Sequence, residues 1–414
     1  MTGKGRYTVL AILCAAYLLC YVARMTMASA APFVAAEMHL SALAVGTLLS
    51  AFFVGYAVMQ IPAGLLVDKL NSNRVLTASI LTWSILSAAT TLAGSFSALV
   101  AVRVLFGVSE SAFPSAASKA IASWFPTREV GRANGIMLAS TQLGACLAPA
   151  IVATLVSRWG WRAAFQGLLV PGVLVALLAW RWVKDGPGVE LSPDAAVGPQ
   201  GHEHERDAAA SVRFVELLGR PAVIWCFAAT FCSNLASWGL MNWLPTYLLN
   251  ARGFSILQMG LFASLPSLAG ALGYFIGGQV SDRYFAQRRR VPIVFGLILG
   301  ALFVYVAATA PTGQVAIACL VVAFFFLFIA DAGLCTLPLV IAPQAAVGRA
   351  FGLVNTAAQL AAFLSPLMVG FLLNATGNNF LLVFNCFVAA LVVAAVAAGQ
   401  IQQETTSSQS ALAS

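Results

Sequence analysis

Long apolar stretches alternate with short polar breaks along the whole chain, at about 7–33, 44–66, 74–94, 97–122, 132–157, 163–183, 219–249, 256–280, 291–310, 314–340, 350–373 and 380–400. Each reaches about 20 residues or more, the length an α-helix needs to cross roughly 30 Å of hydrocarbon. In lipid every backbone N–H and C=O must be satisfied within its own segment, so runs of this length predict helices rather than open strands. The pattern predicts an all-α membrane protein with twelve transmembrane helices. The first stretch is longer than a signal-peptide core and has no convincing cleavage site, so it is expected to be a retained span, with the mature protein beginning near Met1.

Six spans fall on each side of residues 185–213, a polar Pro/Gly-rich segment holding Asp185, Glu190, Asp194, Glu203, Glu205 and Asp207, which reads as a solvated linker. The two sides also repeat. Pro126-Thr-Arg-Glu-Val-Gly131-Arg132-Ala133-Asn-Gly135 matches Pro343-Gln-Ala-Ala-Val-Gly348-Arg349-Ala350-Phe-Gly352 at an offset of 217 residues, and the match runs without a gap to Gln142/Gln359 and Pro149/Pro366. Duplicated six-span halves predict two pseudo-symmetric six-helix bundles. The expected organisation is bundle 1–184, linker 185–213, bundle 214–401 and tail 402–414.

Composition removes the soluble alternative. With 60% hydrophobic and 9% charged residues and a mean hydropathy of +0.89, the chain has too little polar surface to cover a soluble globule. Placing both termini in the cytoplasm puts Lys4, Arg6, Lys69, Arg74, Arg128, Arg132, Arg181, Lys184, Arg206, Arg213, Arg220, Arg283, the Arg288–Arg290 run and Arg349 inside, while only Arg158, Arg162 and Arg252 fall outside. That asymmetry predicts a multi-pass protein of the cell inner membrane with both termini cytoplasmic. It also accounts for the net charge of +8 as topogenic, so no nucleic-acid partner is expected. The eight cysteines lie in apolar stretches without a C-x-x-C pair and read as packing residues. His202-Glu203-His204-Glu205 lies in the linker and reads as a solvated loop in preference to a weak metal site. No nucleophile–base pair or metal cluster appears in the spans, so no enzymatic activity, metal or cofactor is expected. The chain is separately expected to act as a monomer in the bilayer.

Ionisable residues deep in a span cost several kcal/mol unless they face a cavity or a partner, and so mark candidate sites. Four qualify: Arg24, Arg103, Glu110 and Asp331. Lys119 is nearer the cytoplasmic end of span 4 and is expected to snorkel. No histidine lies in any span, which excludes a histidine proton relay. Arg24 stays charged when buried, and its planar fork suits a carboxylate, sulfonate or phosphate; the alternative is a structural ion pair with Glu110. Tyr21 and Tyr56 either supply hydroxyls to the same anion or simply pack. Gln142 and Gln359 are repeat-related amides, with Asn355 one turn from Gln359, and are read as lining a binding site in preference to interhelical glue. Ser237, Trp238 and Asn242 are weaker candidates.

Short polar turns carry a further signature. Gly64-Leu-Leu-Val-Asp68-Lys69-Leu-Asn71-Ser-Asn-Arg74 follows span 2, and Gly278-Gln-Val-Ser-Asp282-Arg283 follows span 8 at the equivalent place. Two copies, each with Asp four residues after Gly, resemble the loop signature of the major facilitator superfamily, as does Arg103-Val-Leu-Phe-Gly107, and the likeness covers the whole chain except linker and tail. Asn71 stands where that family usually has Gly; Asn tolerates left-handed backbone, so the turn should survive. The resemblance implies a cytoplasmic latch, with Asp68 facing the start of span 11 and Asp282 the start of span 5, and gating roles for Asp68, Arg74, Asp282, Arg283, Arg132 and Arg349.

Tyr21-x-x-Arg24 with Pro32, the Phe52-Phe53-Val-Gly55-Tyr56-Ala-Val-Met-Gln60-Ile-Pro-Ala-Gly64 run, Arg103…Glu110…Pro114, Trp124-Phe125-Pro126 and Asn242-Trp243-Leu-Pro245-Thr-Tyr247 together resemble the anion:cation symporter family. That family's members carry galactonate, glucarate, hexuronates and other organic anions. The resemblance implies that Arg24, Tyr21 and Tyr56 hold the anionic group and that Glu110 couples protons. Family members commonly carry Asp before that Arg, whereas this chain has Ala23, which favours anion binding at Arg24 and departs from the family's usual coupling groups; Asp331 either compensates in part or is a buried acid paired structurally.

The expected function is uptake of a small organic anion, a carboxylate, sugar acid or sulfonate, by proton symport with alternating access. Substrate and Glu110 would compete for Arg24 or Arg103, linking proton to substrate occupancy. The alternatives are an efflux antiporter, from the partial likeness of Gly135-x8-Gly144-x3-Ala148-Pro149 to an antiporter element, and a non-transporting nutrient sensor on the same fold.

Overall fold

The computed structural model describes residues 4–184, 220–285, 288–342 and 346–401. Among them every regular element is helical. The helices are α1 (Lys4–Glu37), α2 (Ala42–Lys69), α3 (Ser72–Ala89), α4 (Phe96–Glu110), α5 (Phe113–Trp124), α6 (Thr127–Trp159), α7 (Trp161–Gln166), α8 (Leu169–Trp182), α9 (Pro221–Thr246), α10 (Ile256–Tyr284), α11 (Arg290–Thr309), α12 (Gly313–Thr336), α13 (Pro338–Ile341), α14 (Val347–Ala375) and α15 (Phe380–Gly399). They supply 12 segments long and apolar enough to cross a membrane, close to the twelve expected stretches. The expected linker 185–213, with His202–Glu205, and the tail 402–414 lie outside the described residues.

Polar residues at the breaks set where helices begin. Ser41, Asn71, Ser95, Thr312 and Asn379 each accept a hydrogen bond from a backbone N–H two or three residues ahead, at 2.9–3.3 Å. Each satisfies a donor that the first helical turn leaves open. Asn71 corrects an expectation: its backbone is extended (φ −65°, ψ 130°), so the turn survives because Asn caps α3, not because Asn tolerates a left-handed conformation. Lys119 does more than snorkel. Its Nζ donates to the carbonyls of Val67 (2.6 Å) and Leu70 (3.3 Å), so a cation closes the C-terminal end of α2, where the helix dipole is negative. Gly160, at φ +80°, makes the turn between α6 and α7, a conformation that a side chain would strain. Beside it Glu37 at the end of α1 accepts from Trp161 Nε1 (2.7 Å) and Arg162 Nη1 (2.7 and 2.8 Å).

Three expected spans are not single helices. Span 4 breaks at Ser111–Ala112, where Pro114 opens α5 and leaves Glu110 as the last residue of α4. Span 6 breaks between α7 and α8, and span 10 ends at Thr336 with a separate turn, α13, beyond it. Span 7 finishes in a π-helical turn, Tyr247–Ala251, just after Pro245.

By packing the chain divides into two units. The first comprises Met1–Gly198, Met241–Leu268 and Pro366–Asn378; the second comprises Pro199–Leu240, Ala269–Ser365 and Asn379–Ser414. In the first unit α1 packs on α6, α2 on α4 and α3 on α8; in the second, α11 packs on both α12 and α15. Glycine explains why part of α14 groups with the first unit. A Cβ on Gly46 would run into the Pro366 carbonyl and the Gly370 Cα, so the backbones meet directly. Gly55 and Gly107 do the same where α2 crosses α4: a Cβ on Gly55 would strike the Val104 carbonyl, and one on Gly107 the Phe52 carbonyl and the Tyr56 nitrogen. Gly107→Ala is therefore expected to push these helices apart at Phe52, costing about 1–3 kcal/mol. Thermal unfolding of the purified protein in detergent reads this as a lowered midpoint, and an unchanged midpoint would contradict so close a crossing.

Candidate functional site

The α2–α4 crossing places its aromatic residues against the first deep charge. Arg24 lies past the middle of α1, and Glu110 ends α4 at the break in span 4. The two form an ion pair in which Arg24 Nη2 and Nε both donate to Glu110 Oε2, at 2.7 and 3.2 Å. The Arg24 side chain is 11% exposed and that of Glu110 is fully buried. Taking both charges out of water is expensive, and removing either partner strands the other in a medium that solvates it poorly. The guanidinium is walled by rings, with Phe52, Tyr21 and Tyr56 centred 4.6, 4.7 and 5.4 Å from its central carbon. Aromatic faces attract a cation while contributing no counter-charge, so they hold Arg24 in place and leave its charge available to an anion.

Arg103 extends this cluster from the same helix as Glu110. Its guanidinium lies 5.7 Å from the Phe52 ring centre and 5.1 Å from that of Phe106, so Phe52 meets both arginines. Arg103 is buried at 4% exposure and forms no ion pair among the described residues. Its Nε and Glu110 Oε1 are buried with no hydrogen-bond partner among those residues. Two guanidiniums against one carboxylate leave one excess positive charge; protonating Glu110 makes it two. Among the described residues no second carboxylate balances this charge, an excess that a bound anion would relieve.

Other elements set the cluster's edges. Gly144 on α6 faces the Leu18 carbonyl and the Tyr21 Cβ, contacts that a side chain there would break, and Gln142 lies half-buried two positions earlier. The structure thus brings Arg24, Tyr21, Tyr56, Glu110 and Arg103 into one constellation in the first unit.

The remaining candidates belong elsewhere. Asp331 lies on α12 in the second unit, within hydrogen-bonding reach of Asn234 on α9 and electrostatically coupled to Cys335, whose thiol reaches Tyr274. Asn355 and Gln359 are half-buried one turn apart on α14, also in the second unit. Ser237 and Trp238 on α9 are half-buried, and Asn242 is buried. Of the residues expected to gate, Arg132, Arg74 and Arg283 are exposed and Arg349 is half-buried; Arg283 stacks on its neighbour Tyr284 at 5.7 Å. Asp68 and Asp282 lie outside the residues whose side chains are described.

Two residues of the cluster were not among the sequence candidates. Cys20, read as packing, places its thiol within hydrogen-bonding reach of Arg24 and Glu110; its position four residues before Arg24, one turn back on the same face, was the available clue. Phe52 had only its place in the Phe52-Phe53 pair. In the second unit Asn234 is the corresponding omission, since nothing local ties it to an acid on another helix.

Comparison with known proteins agrees with the fold. A family model described as the Major Facilitator Superfamily matches residues 13–366. The chain is 34% identical over 387 residues to a probable sulfoacetate transporter of Cupriavidus necator, covering 91% of this chain and 89% of that one. It is 31% identical over 400 residues to a probable galactarate/D-glucarate transporter of Escherichia coli, covering 89% and 88%. Its fold is similar to the crystal structure of a bacterial homologue of the human lysosomal transporter Spinster, with a TM-score of 0.82 at 20% identity and 96% coverage of both chains.

Proposed function

The chain belongs to the Major Facilitator Superfamily, as a multi-pass membrane transporter and not an enzyme, and on that premise we propose that it imports a small organic anion by proton symport with alternating access. The observation that carries this reading is the Arg24–Glu110 pair, a buried guanidinium held by a single carboxylate and otherwise walled by aromatic rings. While Glu110 is ionised it occupies Arg24. An incoming carboxylate or sulfonate takes over the guanidinium fork, and the displaced carboxylate, buried without its cation, takes up a proton. Substrate and proton then load together and leave together. Tyr21, Tyr56, Gln142, Asn355 and Gln359 are the proposed contacts for the rest of the substrate, with Arg103 and Asp331 in the coupling. Asp68, Arg74, Asp282, Arg283, Arg132 and Arg349 are proposed to gate, and the duplicated bundles 1–184 and 214–401 to be the moving parts. The protein is proposed to act as a monomer in the inner membrane with both termini in the cytoplasm.

Charge balance narrows the substrate. Two guanidiniums with a protonated Glu110 match a dianion, and the relatives described as probable sulfoacetate and galactarate/D-glucarate transporters support that class. Uptake of radiolabelled sulfoacetate and glucarate into proteoliposomes, with the lumen made alkaline, tests the proposal. Acidifying the outer medium is expected to raise initial uptake and a protonophore to abolish accumulation. Accumulation that persists with the protonophore would count against proton coupling.

The aromatic wall gives a separable expectation. Phe52→Leu keeps the apolar volume but removes the ring shared by Arg24 and Arg103, so substrate affinity should fall about three- to tenfold. Binding titrations on purified protein measure this, and an affinity equal to wild type would remove Phe52 from the site.

A further inference from the structure

A second concentration of positive charge lies far along the chain from Arg24. Asn71, Asn73, Arg74, Trp180, Arg181 and Lys184 line a cavity of about 570 Å³ where the start of α3 meets the end of α8. Among the described residues no acidic side chain lines it. Its floor is rigid: Asn73 is buried, and its side-chain amide donates to the carbonyls of Ala179, Trp180 and Val183 at 2.9, 3.1 and 2.7 Å, tying the two helices together. The Lys184 carbonyl accepts from Trp124 Nε1 at 2.8 Å, which fixes the chain at the cavity's edge. Three cations are thus gathered at a braced position where their mutual repulsion costs energy.

The surface running away from this cavity is apolar. Val170, Leu174 and Leu177 are 65%, 56% and 52% exposed and, with Arg181 and Lys184, recur every three or four residues along one face of α8 and its end. Trp180 and Trp182, 63% and 50% exposed, stand at the boundary, the level that tryptophan favours between hydrocarbon and headgroups. A phosphate on one end and acyl chains on the other reproduce this order of charge, indole and aliphatic stripe. A soluble phosphate uses only the first part of it.

We propose that this cavity holds the phosphodiester headgroup of an anionic phospholipid, with Arg74, Arg181 and Lys184 contacting the phosphate and the acyl chains lying along Val170, Leu174 and Leu177. Basic clusters at the membrane boundary draw anionic headgroups by an amount that adds per cation. The lipid would brace α3 against α8 at the end of the first six spans.

Native mass spectrometry of the full chain, purified in mild detergent and supplied with phosphatidylglycerol, phosphatidylcholine or inorganic phosphate, tests the site. Wild type is expected to retain phosphatidylglycerol over phosphatidylcholine, and Arg181→Gln/Lys184→Gln to lose that retention about tenfold or more, while Arg158→Gln keeps it. Thermal stability should rise with phosphatidylglycerol and not with inorganic phosphate. Equal retention of the two lipids by wild type, a comparison that needs no variant, would overturn the proposal. So would phosphatidylglycerol retention unchanged in the double variant, or equal stabilisation by inorganic phosphate, which would make the site one for a soluble anion.

Discussion

Arg24→Ala is expected to reduce substrate affinity by about 100-fold or more, the largest effect of any single change in the cluster. Truncating one member of a buried, hydrogen-bonded charge pair costs about 2–5 kcal/mol, and each 1.4 kcal/mol is tenfold in affinity. The variant also strands Glu110, which is fully buried and has its only ion pair among the described residues with Arg24. Stability should therefore fall as well, and fall less when Glu110 is also made Gln, because a neutral amide is cheaper to bury unpaired than a carboxylate. Isothermal titration and thermal unfolding on Arg24→Ala, Glu110→Gln and the double variant separate the two effects. Arg24→Lys, which keeps the charge but loses the fork, should recover stability more than affinity. Near-wild-type affinity in Arg24→Ala would remove the anchor from the mechanism.

The second large effect falls on coupling instead of binding. Glu110→Gln is expected to abolish accumulation driven by a pH gradient while leaving counterflow exchange of substrate intact. The amide keeps the size of the side chain at the break after α4 but cannot exchange a proton, and it no longer competes as an anion for Arg24. Affinity at neutral pH should hold or rise, since the substrate meets an unoccupied guanidinium. Proteoliposomes loaded with unlabelled substrate measure exchange, and the same vesicles under an imposed gradient measure accumulation. Persistent accumulation in the variant would move coupling to another group, with Asp331 next in line.

Much of this was legible before any coordinates. Twelve apolar stretches and the repeat at an offset of 217 residues express the two strongest constraints on the chain, the hydrocarbon thickness and the duplication of a six-span unit. Arg24 and Glu110 were legible because a charge inside an apolar run is costly enough to need a reason. Their pairing was foreseen only as the alternative to ligand binding, and the geometry joins the two ideas: the carboxylate that neutralises the arginine is also what an anion would displace.

What remained hidden has common causes. Phe52 and Cys20 are apolar or nearly so in a chain that is 60% hydrophobic, so residue type alone gave them no contrast. The break at Ser111–Ala112 was invisible to hydropathy, which sees one continuous stretch over about 97–122 and not the turn that ends α4 at the glutamate. Asn71 was correctly placed in a turn for the wrong backbone reason, because local sequence does not distinguish a helix cap from a left-handed residue when Asn serves both. Lys119 was read by depth alone, and its partners, the Val67 and Leu70 carbonyls, are backbone atoms that carry no side-chain signature.

Proton uptake on substrate binding tests the central claim most directly. Isothermal titration in buffers of differing ionisation enthalpy counts the protons bound per anion. Competition for Arg24 predicts about one proton taken up by wild type near neutral pH, affinity that tightens as pH falls, and neither effect in Glu110→Gln. Binding by wild type with no proton uptake and no pH dependence, indistinguishable from the Glu110→Gln variant, would contradict it.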